Sequence, residues 1–408
     1  MKPKNGNEGK VRSLRMMMSV AAAMALVLGS VRTGAAQDVR IPADEVPLQL
    51  DGPGLSAFME EAGKYVRVED ARARFKVDGK GIAVAVLDTG LRVTHEDFAG
   101  RVPVARNFTT DDGGDPANVR DGNGHGTNVA GIIGAKKEHR GVAPGASVIP
   151  LKVLRDDGGG DFAGIAAALD WVHEHHRQYG IGVVNMSLGD PRNLDKEPND
   201  GDGGLSGKIA QLRADGVAVV VAAGNGYFGD QKQGMAYPAI LRSTVSVGAV
   251  YDGPGGPVKY QSGAEAYRRN EGQLTPFSQR LHVSVAPGLA TDVFAPGAPI
   301  RSTGTNDDRS SSIQSGTSQA APVVAGVILL MQELYRRDAG RMPSVDDIEA
   351  WLRQSAMTVV DAGSDAAGKY DNVDHTNLAF GVVDAVKALE VVNRDLMVDF
   401  LQKNSLLK

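Results

Sequence analysis

Short, continuous apolar runs alternate with longer helical patterns along the middle of the chain. Such runs occur at 82–87, 148–154, 183–186, 217–223 and 245–250. They are typical of strands that are buried on both faces, and the patterns at 162–179 and 206–215 are typical of helices. Strand–helix alternation predicts an α/β fold of three layers, in which a mostly parallel sheet carries helices on both faces.

The remaining segments complete this architecture. Right-handed crossovers place the carboxyl ends of parallel strands at one edge of the sheet, where ligands usually bind. Residues 190–204 and 251–274 show no core period and predict surface loops. Residues 344–355 and 381–393 predict C-terminal helices, and residues 394–408 either extend the last helix or fray.

The first residues are typical of an export signal. Basic residues from Lys2 to Arg15 precede an apolar run at 16–31, and small residues at 34–36 offer a cleavage site before Gln37. The run is short for a membrane span, which needs about 20 residues, and a retained anchor is the alternative. We expect a secreted protein, or one located in the periplasm or cell envelope.

The chain therefore divides into four predicted parts. These are a signal peptide at 1–36, a short N-terminal arm or reduced pro-segment at 37–80, one main domain at 81–395 and a C-terminal tail at 396–408. No stretch after the signal is apolar enough to predict a membrane span, and we expect a monomer.

Composition excludes several classes of site and partner. The chain has no cysteine, which excludes disulfides, thiolate catalysis and cysteine metal sites. Its net charge of −5 gives no basic surface for nucleic acid. His173, His175 and His176 share one helical pattern with no carboxylate at helical spacing, which predicts a solvated face instead of a zinc site.

Three segments each present one reactive side chain at a position that the fold makes useful. Asp88 ends the first apolar run, His125 begins a buried helical pattern between two glycines, and Ser318 begins another buried pattern. Each alone could be a turn-capping Asp, a helix-start His or an N-cap Ser. Together, in the order Asp, His, Ser, they predict a triad in which serine attacks a carbonyl carbon.

Two further features fit the same edge of the sheet. Asn225 follows the buried run at 217–223, from where its amide could donate a hydrogen bond to an oxyanion. The segment 184–189 is interpreted as an edge strand whose backbone could pair with an extended peptide.

These segments resemble those of the subtilisin-like serine proteases, the subtilase family, over about residues 81–389. The matching segments are Val86-Leu87-Asp88-Thr89-Gly90, Gly124-His125-Gly126-Thr127, Val129-Ala130-Gly131, Gly141-Val142-Ala143-Pro144, Asn185-Met186-Ser187-Leu188-Gly189, Ala222-Ala223-Gly224-Asn225, Phe294-Ala295-Pro296-Gly297, Gly316-Thr317-Ser318 and Ala320-Ala321-Pro322.

The resemblance implies a serine endopeptidase that acts on proteins or peptides and needs no cofactor for its chemistry. It implies that Asp88 orients His125, that His125 is the general base and then the acid, that Ser318 is the nucleophile, and that Asn225 stabilises the oxyanion. It also implies that two backbone segments flank the pocket for the residue before the scissile bond, namely Ser187, Leu188 and Gly189, and Ala222, Ala223 and Gly224.

The sequence departs from the family pattern at two informative places. Gln319 follows the candidate nucleophile where the family commonly has an oxidisable methionine. Asp97 matches a calcium ligand of the family, but residues 135–140, which supply the other ligands in relatives, form a short basic loop here. Structural calcium therefore lacks its usual partners, and Asp97 is the one candidate metal ligand.

The acidic residues at 190–202 predict a solvated loop, with a cation site or a preference for basic substrates as alternatives.

Two other functions fit parts of the pattern. A catalytically silent protein could use the same groove to hold peptides. An esterase of the α/β-hydrolase type needs Gly-x-Ser-x-Gly, and the sequence Gly316-Thr317-Ser318-Gln319-Ala320 lacks the second glycine.

Overall fold

A nine-stranded sheet forms the centre of the computed structural model, which describes residues 38–40, 49–50, 58–200 and 204–404. In chain order, the strands are β1 (Asp38–Arg40), β2 (Gln49–Leu50), β3 (Ala83–Asp88), β4 (Arg106–Asn107), β5 (Ser147–Lys152), β6 (Gly159–Asp161), β7 (Ile181–Met186), β8 (Ala218–Ala222), β9 (Val245–Val250), β10 (Val258–Lys259), β11 (Glu265–Ala266), β12 (Val293–Pro296), β13 (Ile300–Thr303), β14 (Ser311–Gln314), β15 (Met357–Val360), β16 (Ser364–Asp365), β17 (Gly368–Lys369) and β18 (Ala379–Val382).

The large sheet has the order β15-β18-β12-β9-β8-β7-β3-β5-β4. Its neighbouring strands are parallel except β15 and β18, which are antiparallel. All five predicted strands are present within two residues of their predicted bounds, and the mostly parallel α/β fold is confirmed.

The α-helices cover both faces of this sheet. In chain order, they are α1 (Phe58–Tyr65), α2 (Val68–Phe75), α3 (His125–Gly134), α4 (Phe162–Tyr179), α5 (Leu205–Ala214), α6 (Tyr227–Asp230), α7 (Thr317–Ala339), α8 (Val345–Ser355) and α9 (Ala385–Lys403).

Strand β3 shows why the apolar runs are continuous. Val84 and Val86 belong to one core, together with apolar side chains of α3, α7 and α9. Ala83, Ala85 and Leu87 belong to the other core, together with α4 and α5. Because successive side chains of a strand point to opposite faces, burial of both faces requires apolar residues at every position.

Helix α7 is long and apolar enough to span a membrane by length and composition, contrary to the expectation from the sequence. It is nevertheless a core helix, since 94% of its most apolar window is buried inside the protein. Its burial explains why the pattern after Ser318 is apolar nearly all round.

Three expectations from the sequence are wrong in detail. Strand β7 lies between β3 and β8 and is therefore an interior strand, so 184–189 is not an edge strand. The predicted helix at 381–393 starts only at Ala385, because the preceding residues form β18. The predicted loop at 251–274 contains the short strands β10 and β11. Helix α9 continues to Lys403, which is the first of the two alternatives given for residues 394–408.

The described parts of the N-terminal arm pack on the main domain. Strand β1 pairs with β6 and β2 with β10, both antiparallel. Ala62, Val66 and Ala71 of the two short helices belong to the main core, and Arg67 forms an ion pair with the buried Asp384. The predicted signal peptide at 1–36 lies outside the described residues.

Arg280 and three residues from the loops that follow β15 form a buried ionic cluster. Arg280 Nη1 lies 2.6 Å from Asp361 Oδ1, and neither side chain is exposed. His375 Nδ1 lies 2.8 Å from Asp361 Oδ1, and its Nε2 lies 2.8 Å from Asp371 Oδ1. Burial alone would lower the pKa of His375, but hydrogen bonds to the two carboxylates raise it to about 9.

This cluster predicts that stability falls in mildly alkaline solution. A histidine whose pKa is raised by folding stabilises the protein fully below its unfolded pKa of about 6.5. That contribution, up to about 3 kcal/mol, is lost as the pH rises through the folded value. The thermal midpoint of a Ser318→Ala protein should therefore fall between pH 6.5 and 9, and the fall should be much smaller with His375→Gln. His176→Gln in the same Ser318→Ala background is the control, and it should leave the fall unchanged. A fall of the same size with and without His375→Gln would contradict this assignment.

Candidate active site

The end of β3 and the start of α3 bring Asp88 and His125 together. His125 Nδ1 lies 2.7 Å from Asp88 Oδ1, and both side chains are buried. The same carboxylate oxygen accepts a hydrogen bond from Thr89 N at 2.7 Å. Burial raises the pKa of Asp88, and the neighbouring His125 and the Thr89 N–H oppose that rise. The pair can hold one tautomer of the imidazole and stabilise its protonated form.

The glycine after His125 permits this contact. A Cβ atom at Gly126 would lie 2.4 Å from the Gly90 carbonyl oxygen and 3.2 Å from Asp88 Cβ. Any larger residue would push α3 away from the turn that follows β3. This close approach explains the glycine after the candidate histidine in physical terms.

Asp121 connects the same two elements, and the sequence analysis missed it. Its Oδ1 accepts hydrogen bonds from Thr89 Oγ1 at 2.9 Å and from Gly124 N at 2.7 Å. Its Oδ2 accepts hydrogen bonds from Thr127 N at 2.8 Å and from Thr127 Oγ1 at 2.7 Å. A carboxylate at a helix N-terminus satisfies N–H groups that have no partner in the helix and interacts favourably with the helix dipole. Its signal in the sequence is an acidic residue four positions before the helix starts.

Ser318 lies buried in the first turn of α7, where Ser187 holds it. Pro322 has no N–H to donate to the Ser318 carbonyl one helical turn earlier. Ser187 Oγ supplies the missing donor at 2.7 Å, and Ser318 Oγ lies 3.4 Å from the Ser187 carbonyl oxygen. Asn185 Nδ2 in turn donates to Ser187 Oγ at 3.0 Å. The residues around the end of β7 therefore fix the start of α7.

Asn225 presents an amide donor next to the same helix start. Its Oδ1 accepts hydrogen bonds from Thr317 N and Thr317 Oγ1, both at 2.9 Å. Its Nδ2 is buried and has no hydrogen-bond partner among the described residues. A Cβ atom at Gly316 would lie 2.9 Å from this Nδ2. A buried donor without a partner is uncommon in folded proteins, and a developing oxyanion is the kind of group that it could stabilise.

Polar contacts connect the starts of α3 and α7. Gln319 Nε2 lies 3.4 Å from Asn128 Oδ1 on α3 and 3.2 Å from Gln314 Oε1. Gln314 Nε2 donates to the Gly124 carbonyl at 3.4 Å. Gln319, the residue that departs from the family pattern, thus contacts the helix that carries His125.

The predicted pocket residues are buried, and several of their backbone groups are engaged within the protein. Gly224 N donates to Thr317 Oγ1 at 3.1 Å, and Gly224 O accepts a hydrogen bond from Gln279 N at 2.9 Å. The Ala223 carbonyl accepts a hydrogen bond from Ala236 N at 2.8 Å. A Cβ atom at Gly224 would lie 1.9 Å from Gln279 Oε1. Gln279 therefore covers this segment, a contact that the sequence analysis missed.

The surroundings of three other predicted pocket residues are different, namely those of Leu188, Gly189 and Ala222. Leu188 places its side chain in the core, so only its backbone can face a substrate. Gly189 lies against the loop between α6 and β9, because a Cβ atom there would lie 3.2 Å from the Tyr237 carbonyl oxygen. Ala222 is the buried last residue of β8.

The surroundings of Asp97 do not fit calcium. Asp97 Oδ2 lies 2.7 Å from His139 Nδ1 and 3.7 Å from His95 Nδ1, and Oδ1 accepts a hydrogen bond from Lys137 N. Calcium in proteins takes six to eight oxygen ligands, and this group offers imidazole nitrogens and a peptide N–H instead. The loop at 135–140 thus supplies a histidine that the sequence analysis overlooked.

Two further expectations need correction. The acidic loop is not simply solvated, because Asp190 pairs with Arg192, Glu197 pairs with Arg242, and Asp200 accepts hydrogen bonds from the start of α5.

His173 does meet a carboxylate, since its Nδ1 lies 2.6 Å from Asp215 Oδ2 at the end of α5. That partner comes from another helix, so helical spacing could not reveal it.

The chain is similar in sequence to known proteins over most of the described main domain. Residues 79–382 match the profile of the subtilase family. The chain is 33% identical over 273 residues to the major intracellular serine protease of Bacillus subtilis, covering 66% of this chain and 73% of the relative. It is 31% identical over 253 residues to subtilisin DY of Bacillus licheniformis, covering 61% of this chain and 76% of the relative. It is 32% identical over 254 residues to an intracellular serine protease of Paenibacillus polymyxa, covering 61% of this chain and 66% of the relative.

The contact between Ser187 and Ser318 predicts a specific energetic coupling. Ser187→Ala leaves the buried Ser318 carbonyl without its donor and should lower the free energy of unfolding by about 1–3 kcal/mol. Pro322→Ala restores an N–H that can donate to this carbonyl, so Ser187→Ala should cost less in that background. Urea unfolding of the four proteins, all carrying Ser318→Ala, measures the coupling. Equal costs of Ser187→Ala in both backgrounds would show that the proline does not create the need for Ser187.

Proposed function

Because the chain belongs to the subtilase family and is a serine endopeptidase, we propose that Asp88, His125 and Ser318 are its catalytic triad. The observation that carries this proposal is the buried contact of 2.7 Å between His125 Nδ1 and Asp88 Oδ1. In the proposed mechanism, the proton of the Ser318 hydroxyl passes to the second ring nitrogen of His125, Nε2. Ser318 begins the neighbouring helix, which contacts α3 through Gln319 and Asn128.

The proposed reaction proceeds through an acyl-enzyme. Ser318 Oγ bonds to the carbonyl carbon of the scissile peptide, and its proton passes to His125 Nε2. The carbonyl oxygen gains negative charge and accepts hydrogen bonds from Asn225 Nδ2 and the Ser318 N–H. The protonated His125 then gives its proton to the leaving amine as the C–N bond breaks. Water, activated by His125, hydrolyses the ester and restores the Ser318 hydroxyl.

The proposed substrate is a polypeptide, because the relatives of this chain are named as serine proteases. The proposed oxyanion donors lie at the starts of α6 and α7, next to the carboxyl edge of the sheet.

Serine proteases among the relatives are named for intracellular and extracellular locations alike. Basic residues followed by an apolar run at 16–31 support export of this chain. Recovery of a mature form that starts near Gln37 outside the cytoplasm would support export, and recovery of an uncleaved cytoplasmic chain would contradict it.

A fluorophosphonate probe tests the triad directly, since only an activated serine is labelled rapidly. We expect the wild-type protein to be labelled on Ser318 and the Ser318→Ala protein not to be labelled. Asp88→Asn should slow both labelling and peptide hydrolysis by about 10⁴-fold, because the imidazole loses the partner that fixes its tautomer. A folded Ser318→Ala protein that still hydrolyses peptides would exclude this mechanism, and a wild-type protein that is not labelled would instead favour a catalytically silent peptide-binding protein.

The oxyanion role of Asn225 predicts a loss that appears in kcat. Asn225→Ala should lower kcat by about 10²–10³-fold and leave KM nearly unchanged. Asn225→Asp is the matched control, because it keeps the acceptor for Thr317 but cannot donate through a carboxylate. Steady-state kinetics on a peptide substrate should show a loss in both variants. Full activity of Asn225→Asp would mean that only the contact with Thr317 matters.

A further inference from the structure

Three side chains from two separate segments meet in a buried cluster away from the proposed triad. His95 and Asp97 lie at the short 3-10 turn Glu96–Phe98, and His139 lies on the loop after α3. All three are buried, and one ligand atom from each lies within 4.8 Å of the others. Two imidazoles and one carboxylate form the type of ligand set that zinc prefers in proteins.

The remaining ring nitrogens of both histidines already have partners. His95 Nε2 lies 3.1 Å from the Ser310 carbonyl oxygen, and because only an N–H can pair with a carbonyl, Nδ1 keeps its lone pair. That Nδ1 accepts a hydrogen bond from Asp97 N at 3.2 Å and lies 3.7 Å from Asp97 Oδ2. His139 Nε2 lies 2.7 Å from Ser311 Oγ, which can accept a hydrogen bond from it. In zinc sites, a ligating histidine usually donates its other N–H to a carbonyl, carboxylate or water in this way.

The electrostatic surroundings permit a cation. Two positive charges beside the cluster are paired with one carboxylate, since Lys137 Nζ lies 3.0 Å from Glu96 Oε2 and Arg309 Nε lies 2.6 Å from Glu96 Oε1. The guanidinium of Arg101 donates to the Asp97 backbone carbonyl oxygen. Burial raises the pKa of Asp97, but hydrogen bonds from His139 and Lys137 N outweigh this effect and lower it, so Asp97 is a carboxylate at neutral pH. An adjoining cavity of about 290 Å³, lined in part by Glu96 and Glu138, leaves room for a fourth ligand.

We propose that His95 Nδ1, Asp97 Oδ2 and His139 Nδ1 bind a zinc ion, with water or a residue of the cavity as the fourth ligand. Zinc–ligand distances of about 2.0–2.2 Å place tetrahedral ligands roughly 3.3 Å apart. The Asp97–His139 separation of 2.7 Å must therefore increase and the Asp97–His95 separation of 3.7 Å must decrease, each by about half an ångström. The hydrogen bonds between these three residues are exchanged for coordinate bonds, and the contacts to Ser310 and Ser311 remain.

Such an ion would join two separate segments, and its two histidine ligands contact a third segment at Ser310 and Ser311. Ser310 and Ser311 lie at the start of β14, and the next residue, Ser312, accepts a hydrogen bond from Asn128 of α3 through its Oγ at 2.8 Å. Zinc binding should therefore stabilise the loop at 135–140 against β14 and the helix that carries His125. This effect concerns stability and does not depend on the proposed catalytic roles.

The test uses the full chain with Ser318→Ala, which prevents self-digestion, and with His176→Gln, which removes the second group of possible ligands at His173, His176 and Asp215. After removal of metals with a chelator, cobalt should give the visible absorption of a tetrahedral site, and zinc should abolish it. One equivalent of zinc should raise the thermal midpoint, whereas calcium should not. Adding His139→Gln should weaken zinc binding, measured by calorimetry, by at least about tenfold.

Two results would overturn the proposal. One is a protein with His139 intact that gives no tetrahedral cobalt spectrum, a measurement that does not depend on how well the His139→Gln variant folds. The other is a thermal midpoint that rises with calcium and not with zinc.

Discussion

The contact between His125 Nδ1 and Asp88 Oδ1 joins the last residue of a central strand to the first residue of a buried helix. Neither side chain is exposed to solvent, so each group depends on the other and on nearby N–H donors for its polar contacts. The start of α3 must therefore lie close to the turn after β3. Gly126 permits that approach, and Asp121 holds both elements through hydrogen bonds to Thr89 and to the helix N-terminus.

The start of α7, which carries Ser318, is also fixed by a buried hydrogen bond. Pro322 removes a hydrogen bond that would otherwise satisfy the Ser318 carbonyl inside α7, and Ser187, the residue after β7, supplies a replacement. A hydrogen bond between distant segments thus takes the place of one within the helix. Since an unpaired buried carbonyl costs about 1–3 kcal/mol, this contact favours one position of the helix over others. Both proposed reactive groups are therefore positioned by buried polar contacts at the carboxyl edge of the sheet.

The strands, the long helices and the candidate triad could be predicted because their signals are local. Burial on both faces makes β3 continuously apolar, and Asp88, His125 and Ser318 each stand at a recognisable change of pattern. The contacts of Ser187 and His139 could not be predicted in the same way. Ser187 bonds to Ser318, 131 residues away, and His139 bonds to Ser311, 172 residues away. The interior position of β7 was missed for the same reason, because strand order is set by crossovers between distant segments.

A crystal structure of the enzyme with a peptide boronate tests the account most directly, because the tetrahedral boron resembles the intermediate of peptide hydrolysis. We predict that boron is bonded to Ser318 Oγ, with one boronate oxygen within hydrogen-bond distance of Asn225 Nδ2 and the Ser318 N–H. His125 should remain bonded to Asp88 while its Nε2 faces the boronate. A boronate bound through another residue, or a His125 ring that cannot reach Ser318 Oγ in that complex, would contradict the proposed mechanism.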